Sequence, residues 1–145
     1  MKGIILAGDS GSRLHPLTLG VPKQLLPIYD KPMIYYPVET LAESGIKEIL
    51  VITTAEHQSM FKKALGNGSL FGAQFQYTIQ EEANGIAQAI NIASDFIGKD
   101  SVCLITGDMI IAGDGVKNHI AKAIKAVEKS GNATIFVEAK NYPDQ

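Results

Sequence analysis

The chain has 145 residues, 46% of them hydrophobic and 19% charged, with 13 basic against 15 acidic side chains. Folding a domain of that length buries roughly 68–70% of its unfolded surface, so neither a disulfide scaffold nor a structural metal is needed to hold it together. This composition excludes disorder and collagen-like or low-complexity folds, and a net charge of −2 gives no general pull toward nucleic acid or an anionic membrane. The single Cys103 has no intramolecular partner, which fits a reducing compartment. The apolar run Ile4 to Ala7 is too short for a signal-peptide core, and nowhere do about 18 apolar residues run together. The expected location is therefore the cytoplasm, and without repeats or a linker-like tract residues 1–145 are expected to form one domain.

In chain order, Gly3 to Ala7 is a continuous apolar run of the kind a buried parallel strand shows. A Gly/Ser loop follows, and then a Pro-punctuated stretch from Pro16 to Pro32 that should not be one regular element. From Pro32 the spacing of Ile34, Val38 and Leu41 predicts a helix ended by Gly45. Glu48 to Ile52 reads as a second strand, Gln58 to Leu65 as a helix ended by Gly66, and Ala73 to Ile79 as a third strand. A helix over Ile86 to Phe96 and a strand over Ser101 to Thr106 come next. An amphipathic helix follows, marked by Val116, Ile120, Ala123, Ile124 and Val127, with Lys122, Lys125 and Lys129 as its solvated face, and then a last strand over Ala133 to Ala139. Alternating strands and helices predict an α/β fold, a mostly parallel sheet with helices on both faces in a Rossmann-like three-layer αβα arrangement. Ligands of such sheets bind beyond the carboxyl ends of the strands, where the strand order reverses.

Two strand ends carry chemistry there. The first runs into Gly8-Asp9-Ser10-Gly11-Ser12-Arg13, where two glycines three apart can turn backbone N–H groups inward as an anion nest and Arg13 can grip a phosphate. On spacing alone a plain turn with a surface Arg is equally good. Lys23 follows Pro22, which favours extended chain and could let its side chain reach back over the loop, although most lysines are simply solvated. Asp108, past the fourth strand after Gly107, suits Mg²⁺ or, equally, a turn; Asp114 has only the turn reading. Gln80 and Gly85 flank a possible base pocket, because a side-chain amide offers both a donor and an acceptor. His15, His57 and His119 lack metal-ligand spacing, and Cys103 reads as a core residue in mid-strand.

Taken together, the opening run Lys2 to Gly8, the loop through Arg13-Leu14, and the unbroken stretch from Lys23 to Pro37 (KQLLPIYDKPMIYYP) closely resemble the sugar-nucleotidyltransferases, nearest their glucose-1-phosphate thymidylyltransferase branch. Gly66 to Ser69, Gly85 to Ala89 and Gly107-Asp108 follow in the same order, so the resemblance covers essentially the whole chain. It implies a nucleotide-binding nucleotidyltransferase domain that transfers a thymidylyl group from dTTP to glucose 1-phosphate, giving dTDP-glucose and pyrophosphate with Mg²⁺. It further implies that Leu6, Ala7 and Gly8 contact the nucleoside and that Gly11, Ser12 and Arg13 cradle the triphosphate. Arg13 and Lys23 would be the catalytic cations, Gln80 and Gly85 would read the base, and Asp108 would hold Mg²⁺. UTP, CTP and ATP enzymes share the loop and the Lys region.

Two positions depart from the family pattern: Asp9 where many members have Gly, and Met109 where Asn is frequent. An ionised carboxylate about 6 Å from a phosphate charge costs roughly 3 kcal/mol at an effective dielectric near 20, so Asp9 either points away or weakens triphosphate binding. The family pattern also runs past Gln145 into a sugar-binding half that carries a lysine for the sugar phosphate and a second carboxylate for the metal. The expectation is therefore a chain with little or no turnover alone. Its alternative is a binding module for nucleoside triphosphates, and the blandest reading is a truncated domain that self-associates. An exposed sheet end favours a homo-oligomer.

Overall fold

The two central strands of the sheet are legible as apolar runs because both of their faces are buried. The computed structural model describes residues 1–9, 11–82, 85–111 and 116–136. Strands β1 (Lys2–Ala7), β4 (Glu48–Thr53), β5 (Gln74–Ile79) and β6 (Val102–Thr106) form one parallel sheet in the order β5-β4-β1-β6. Alternate residues of a strand face opposite sides. Ile5, Ala7, Ile49 and Val51 accordingly join one apolar cluster, while Ile4, Leu50 and Ile52 join the other.

The first cluster is covered by helix α1 (Tyr35–Glu43) through Val38, Leu41 and Ala42, and by α2 (Gln58–Leu65) through Phe61 and Leu65. Ile124 of α5 (Val116–Ser130) packs against its margin. The second cluster is covered by α3 (Ile86–Ile92) and α4 (Ser94–Ile97), with Ala89, Ala93, Phe96 and Ile97. Burying each large aliphatic side chain contributes about 1.5–3 kcal/mol, so the two clusters fix the sheet between its helix layers. This is the expected α/β layering.

Most elements lie where the sequence places them, with three differences. The helix expected from Pro32 starts at Tyr35, because Pro32 pairs in a two-residue antiparallel ladder, β2 (Pro27–Ile28) with β3 (Lys31–Pro32), inside the Pro-rich stretch. Pro37 falls in the first turn of α1, where a missing N–H costs nothing. The helix expected over Ile86 to Phe96 is two helices that break at Ala93. Residues 133–136 of the expected last strand carry no regular structure, and the rest of it lies outside the described residues, as does Asp114. Lys122, Lys125 and Lys129 are exposed as expected. Cys103 is partly buried beside the first cluster, and burial pushes its thiol up. Among the described residues no helix is long and apolar enough to cross a membrane.

Candidate functional site

The strand order places the site. The chain leaves β1 for β4 and β5 on one side, then crosses back to β6 on the other, so the order reverses between β1 and β6. The carboxyl ends of these two strands meet at a very close approach. Gly107 donates its N–H to the Leu6 carbonyl at 2.8 Å. A Cβ on Gly107 would stand 2.9 Å from Ile34 Cδ1 and 3.1 Å from Ala7 Cβ, so any side chain there must push its neighbours aside. Beyond this crossing opens a cleft of about 300 Å³ lined by Leu6, Gly8, Asp9, Arg13, Gln24, Gln80, Gly85, Thr106 and Asp108.

The β1 loop is built to stay folded over this end. Gly11 takes φ 64°, left-handed backbone that favours glycine, and a Cβ there would meet Lys23 Cβ at 2.9 Å. Buried Thr18 donates its hydroxyl to the Gly11 carbonyl at 2.7 Å and latches the loop from the other side. Ser12 and Arg13 lie in a short 3₁₀ turn with exposed side chains. Asp9 does not turn away: its Oδ1 accepts the Gly11 N–H at 2.9 Å, so a carboxylate already occupies a loop amide.

Lys23 follows an extended Pro22 and opens a second 3₁₀ turn, and its ammonium reaches Asp108 Oδ2 at 2.7 Å. The two sequence-distant groups are thus one ion pair, half-buried at the β6 end. Burial works to raise the Asp108 carboxyl, but hydrogen bonds from Lys23 and Thr106, helped by the Lys23 charge, outweigh it and hold the group below the usual carboxylate range.

On the far wall Gln80 is buried, its backbone N–H held by the Thr53 carbonyl at 2.8 Å. Its Nε2 donates to Gln88 Oε1 at 2.6 Å and faces the Gly85 carbonyl at 3.5 Å. The cleft therefore gathers eight of the ten residues expected there or their immediate loop: Leu6, Gly8, Arg13, Gln80, Gly85 and Asp108 line it, Lys23 pairs with Asp108, and Gly11 carries the Asp9 contact. Ala7 instead packs into the core behind Gly8, and Ser12 stands exposed beside Arg13 without lining the cleft.

Four residues escape a reading of spacing alone. Thr18, Thr106 and Gln88 act on loop, carboxylate and amide respectively through contacts that no motif encodes. Gln24, next to Lys23, is 1% exposed, lines the cleft, and its Oε1 has no hydrogen-bond partner. A buried acceptor without a donor costs about 1–3 kcal/mol, so that oxygen is set to receive one from a ligand or water. The oxygen donors here, one carboxylate with a hydroxyl and an orphan amide oxygen, fit a hard cation such as Mg²⁺ that takes one carboxylate and fills its shell with waters and phosphates. Among the described residues no cluster of three His, Cys, Asp or Glu side chains is suited to a metal held by protein alone.

Known proteins share this sequence and fold. The chain is 50% identical over 145 residues to the glucose-1-phosphate thymidylyltransferase of Neisseria meningitidis serogroup A, covering 100% of this chain and 49% of that protein. It is 56% identical over 122 residues to the enzyme of the same name from Mycolicibacterium smegmatis, covering 84% of this chain and 42% of that one. A Bacillus anthracis structure with sucrose bound, assigned to the glucose-1-phosphate thymidylyltransferases, superimposes with a TM-score of 0.81 at 42% identity, over 89% of this chain and 50% of that one. A UDP-glucose pyrophosphorylase complexed with UDP-glucose follows at 0.73 and 26%, over 90% and 54%. The chain spans about half the length of the curated relatives it matches. The nucleotidyl transferase family model matches residues 2–145, and this chain belongs to that family.

Proposed function

We propose that this chain forms the nucleotide-binding part of a sugar-1-phosphate nucleotidyltransferase, and that in the complete site a thymidylyl group passes from dTTP to glucose 1-phosphate, releasing pyrophosphate. The observation that carries this is the meeting, at the reversal of strand order, of a glycine loop ending in Arg13 with the Lys23–Asp108 pair. The choice of dTTP and glucose 1-phosphate rests on the relatives named above.

In such a transfer the sugar phosphate oxygen attacks the α-phosphorus in line, so catalysis is mostly positioning and charge neutralisation. The roles are those the family resemblance implies, set on the positions the cleft gives. Leu6 and Gly8 would form the nucleoside wall, with Ala7 packed behind them and Gln80 and Gly85 at the base. Gly11, Ser12 and Arg13 would take the triphosphate. Lys23, released from Asp108, would swing its charge to the phosphates, and Asp108 would hold Mg²⁺. When bound, the ion neutralises phosphate charge and orients the chain of phosphates. The Lys23–Asp108 pair keeps both charges compensated until a ligand separates them.

Because the chain spans about half of its relatives, a second reading stands beside the first: triphosphate binding without turnover. A site without acceptor-side contacts would forgo positioning worth about 7–11 kcal/mol at best. Formation of dTDP-glucose from dTTP and glucose 1-phosphate separates the two readings. The site itself is tested by Arg13→Ala, which should weaken dTTP binding about tenfold, a loss typical of a hydrogen bond to a charged group. Lys129→Ala on the exposed face of α5 should change nothing. Equal effects would sink the assignment.

A further inference from the structure

The Gln80 amide has two faces, and only one can look into the cleft. Amide orientation is read from the hydrogen-bond network around it, and here the Gly85 carbonyl, which can only accept, sets the side that the Gln80 nitrogen takes, with the Gln88 amide oxygen turned to the same nitrogen. Gln88 Oε1, in the first turn of α3, accepts from Gln80 Nε2 at 2.6 Å, and the Gly85 carbonyl lies 3.5 Å from the same nitrogen. The opposite atom, Gln80 Oε1, lies against Gly8: a Cβ there would stand 3.1 Å from it. Gly8 and Gln80 both line the cleft, so the glycine leaves open space beside an acceptor oxygen. Gln80 is 3% exposed, so water cannot readily compensate a wrong partner.

We propose that Gln88 is a specificity-determining positioning residue: by engaging Gln80 Nε2 it commits Gln80 Oε1 to the cleft as a fixed acceptor. The inference rests on the reading of Gln80 as the base contact. A fixed acceptor suits a base whose ring nitrogen carries a hydrogen between two carbonyls, as N3 of thymine or uracil does. Cytosine presents a lone pair at the same ring nitrogen, which faces Oε1 with no proton between them. A buried polar site penalises a ligand that leaves its groups unpaired more strongly than an apolar site penalises a missing methylene. Without Gln88 the Gln80 amide can turn over, offer Nε2 to the cleft, and receive cytosine as readily as thymine.

The test measures dissociation constants for dTTP and CTP, with Mg²⁺, on the 145-residue chain and on Gln88→Met, Gln88→Ala and Gln88→Glu. The unaltered chain should prefer dTTP. In Gln88→Met and Gln88→Ala the preference should fall about tenfold, the worth of one buried hydrogen bond. Gln88→Glu, which keeps an acceptor for Gln80 Nε2, should restore it. Melting curves show that each variant is folded, and Ala is the best helix former should Met disturb α3. An unchanged dTTP-to-CTP ratio in the two folded truncations overturns the inference while the nucleotide site stands. An unaltered chain that binds both nucleotides equally overturns it as well. Binding of neither removes the base-pocket reading and the inference together.

Discussion

Removing the Asp9 charge should tighten triphosphate binding. Asp9 Oδ1 accepts the Gly11 N–H at 2.9 Å, so the carboxylate sits on an amide of the loop proposed to cradle phosphates. A phosphate bound to the neighbouring amides would lie about 6 Å from it, and the repulsion is then roughly 3 kcal/mol at an effective dielectric of 20 and about 0.7 kcal/mol in bulk water. Asp9 is exposed, which sets the relief between these limits. About 1–2 kcal/mol corresponds to roughly 5- to 30-fold in affinity. Asp9→Asn is the informative change, because its amide oxygen still accepts from Gly11 and only the charge is lost. Titration calorimetry with dTTP and with thymidine should show the gain for the triphosphate alone. It should shrink in about 1 M salt, where the screening length is near 3 Å. Unchanged or weaker dTTP binding, or an equal gain for thymidine, would refute the placement of phosphates on this loop.

Two further outcomes follow from the same geometry. Gly107→Ala forces a methyl within 2.9 Å of Ile34 Cδ1 and against Ala7, so it should destabilise the chain by about 1–3 kcal/mol and lower its melting temperature; an unchanged melting temperature would mean the strand ends are not so tightly apposed. Asp108 has its carboxyl held down in the folded chain, so it contributes stability above the unfolded value near 4, and that contribution is lost as pH falls through the lower folded value. The melting temperature of the chain relative to Asp108→Asn should therefore drop as pH falls from about 7 toward 3, and a pH-independent difference would contradict the Lys23–Asp108 pairing.

The sheet was legible because β1 and β4 bury both faces, so that Ile4, Ile5, Leu50 and Val51 leave an uninterrupted apolar signal. The break of α3 from α4 at Ala93 left no such trace, because Ala89, Ala93, Phe96 and Ile97 keep one apolar face across it. The site divides in the same way. Gly11, Arg13, Lys23 and Asp108 could be nominated because charge and glycine spacing are written in the chain, and their relation to one another was suggested by family resemblance. That Lys23 and Asp108, 85 residues apart, share one hydrogen bond is a product of β6 returning beside β1. Gln24 and Gln88 are ordinary amides in sequence, and only burial and an unpaired or committed oxygen distinguishes them.

The most direct test of a live nucleotide pocket at the β1 and β6 ends is the melting temperature with Mg²⁺, with and without excess dTTP, and again for Arg13→Ala. Ligand at about 100 times its dissociation constant adds roughly 2.7 kcal/mol, and at about 2–4 °C per kcal/mol the shift should be several degrees. The geometry of the cleft predicts that shift for the unaltered chain and a much smaller one for Arg13→Ala. No shift with dTTP, or the same shift in both proteins, would contradict it.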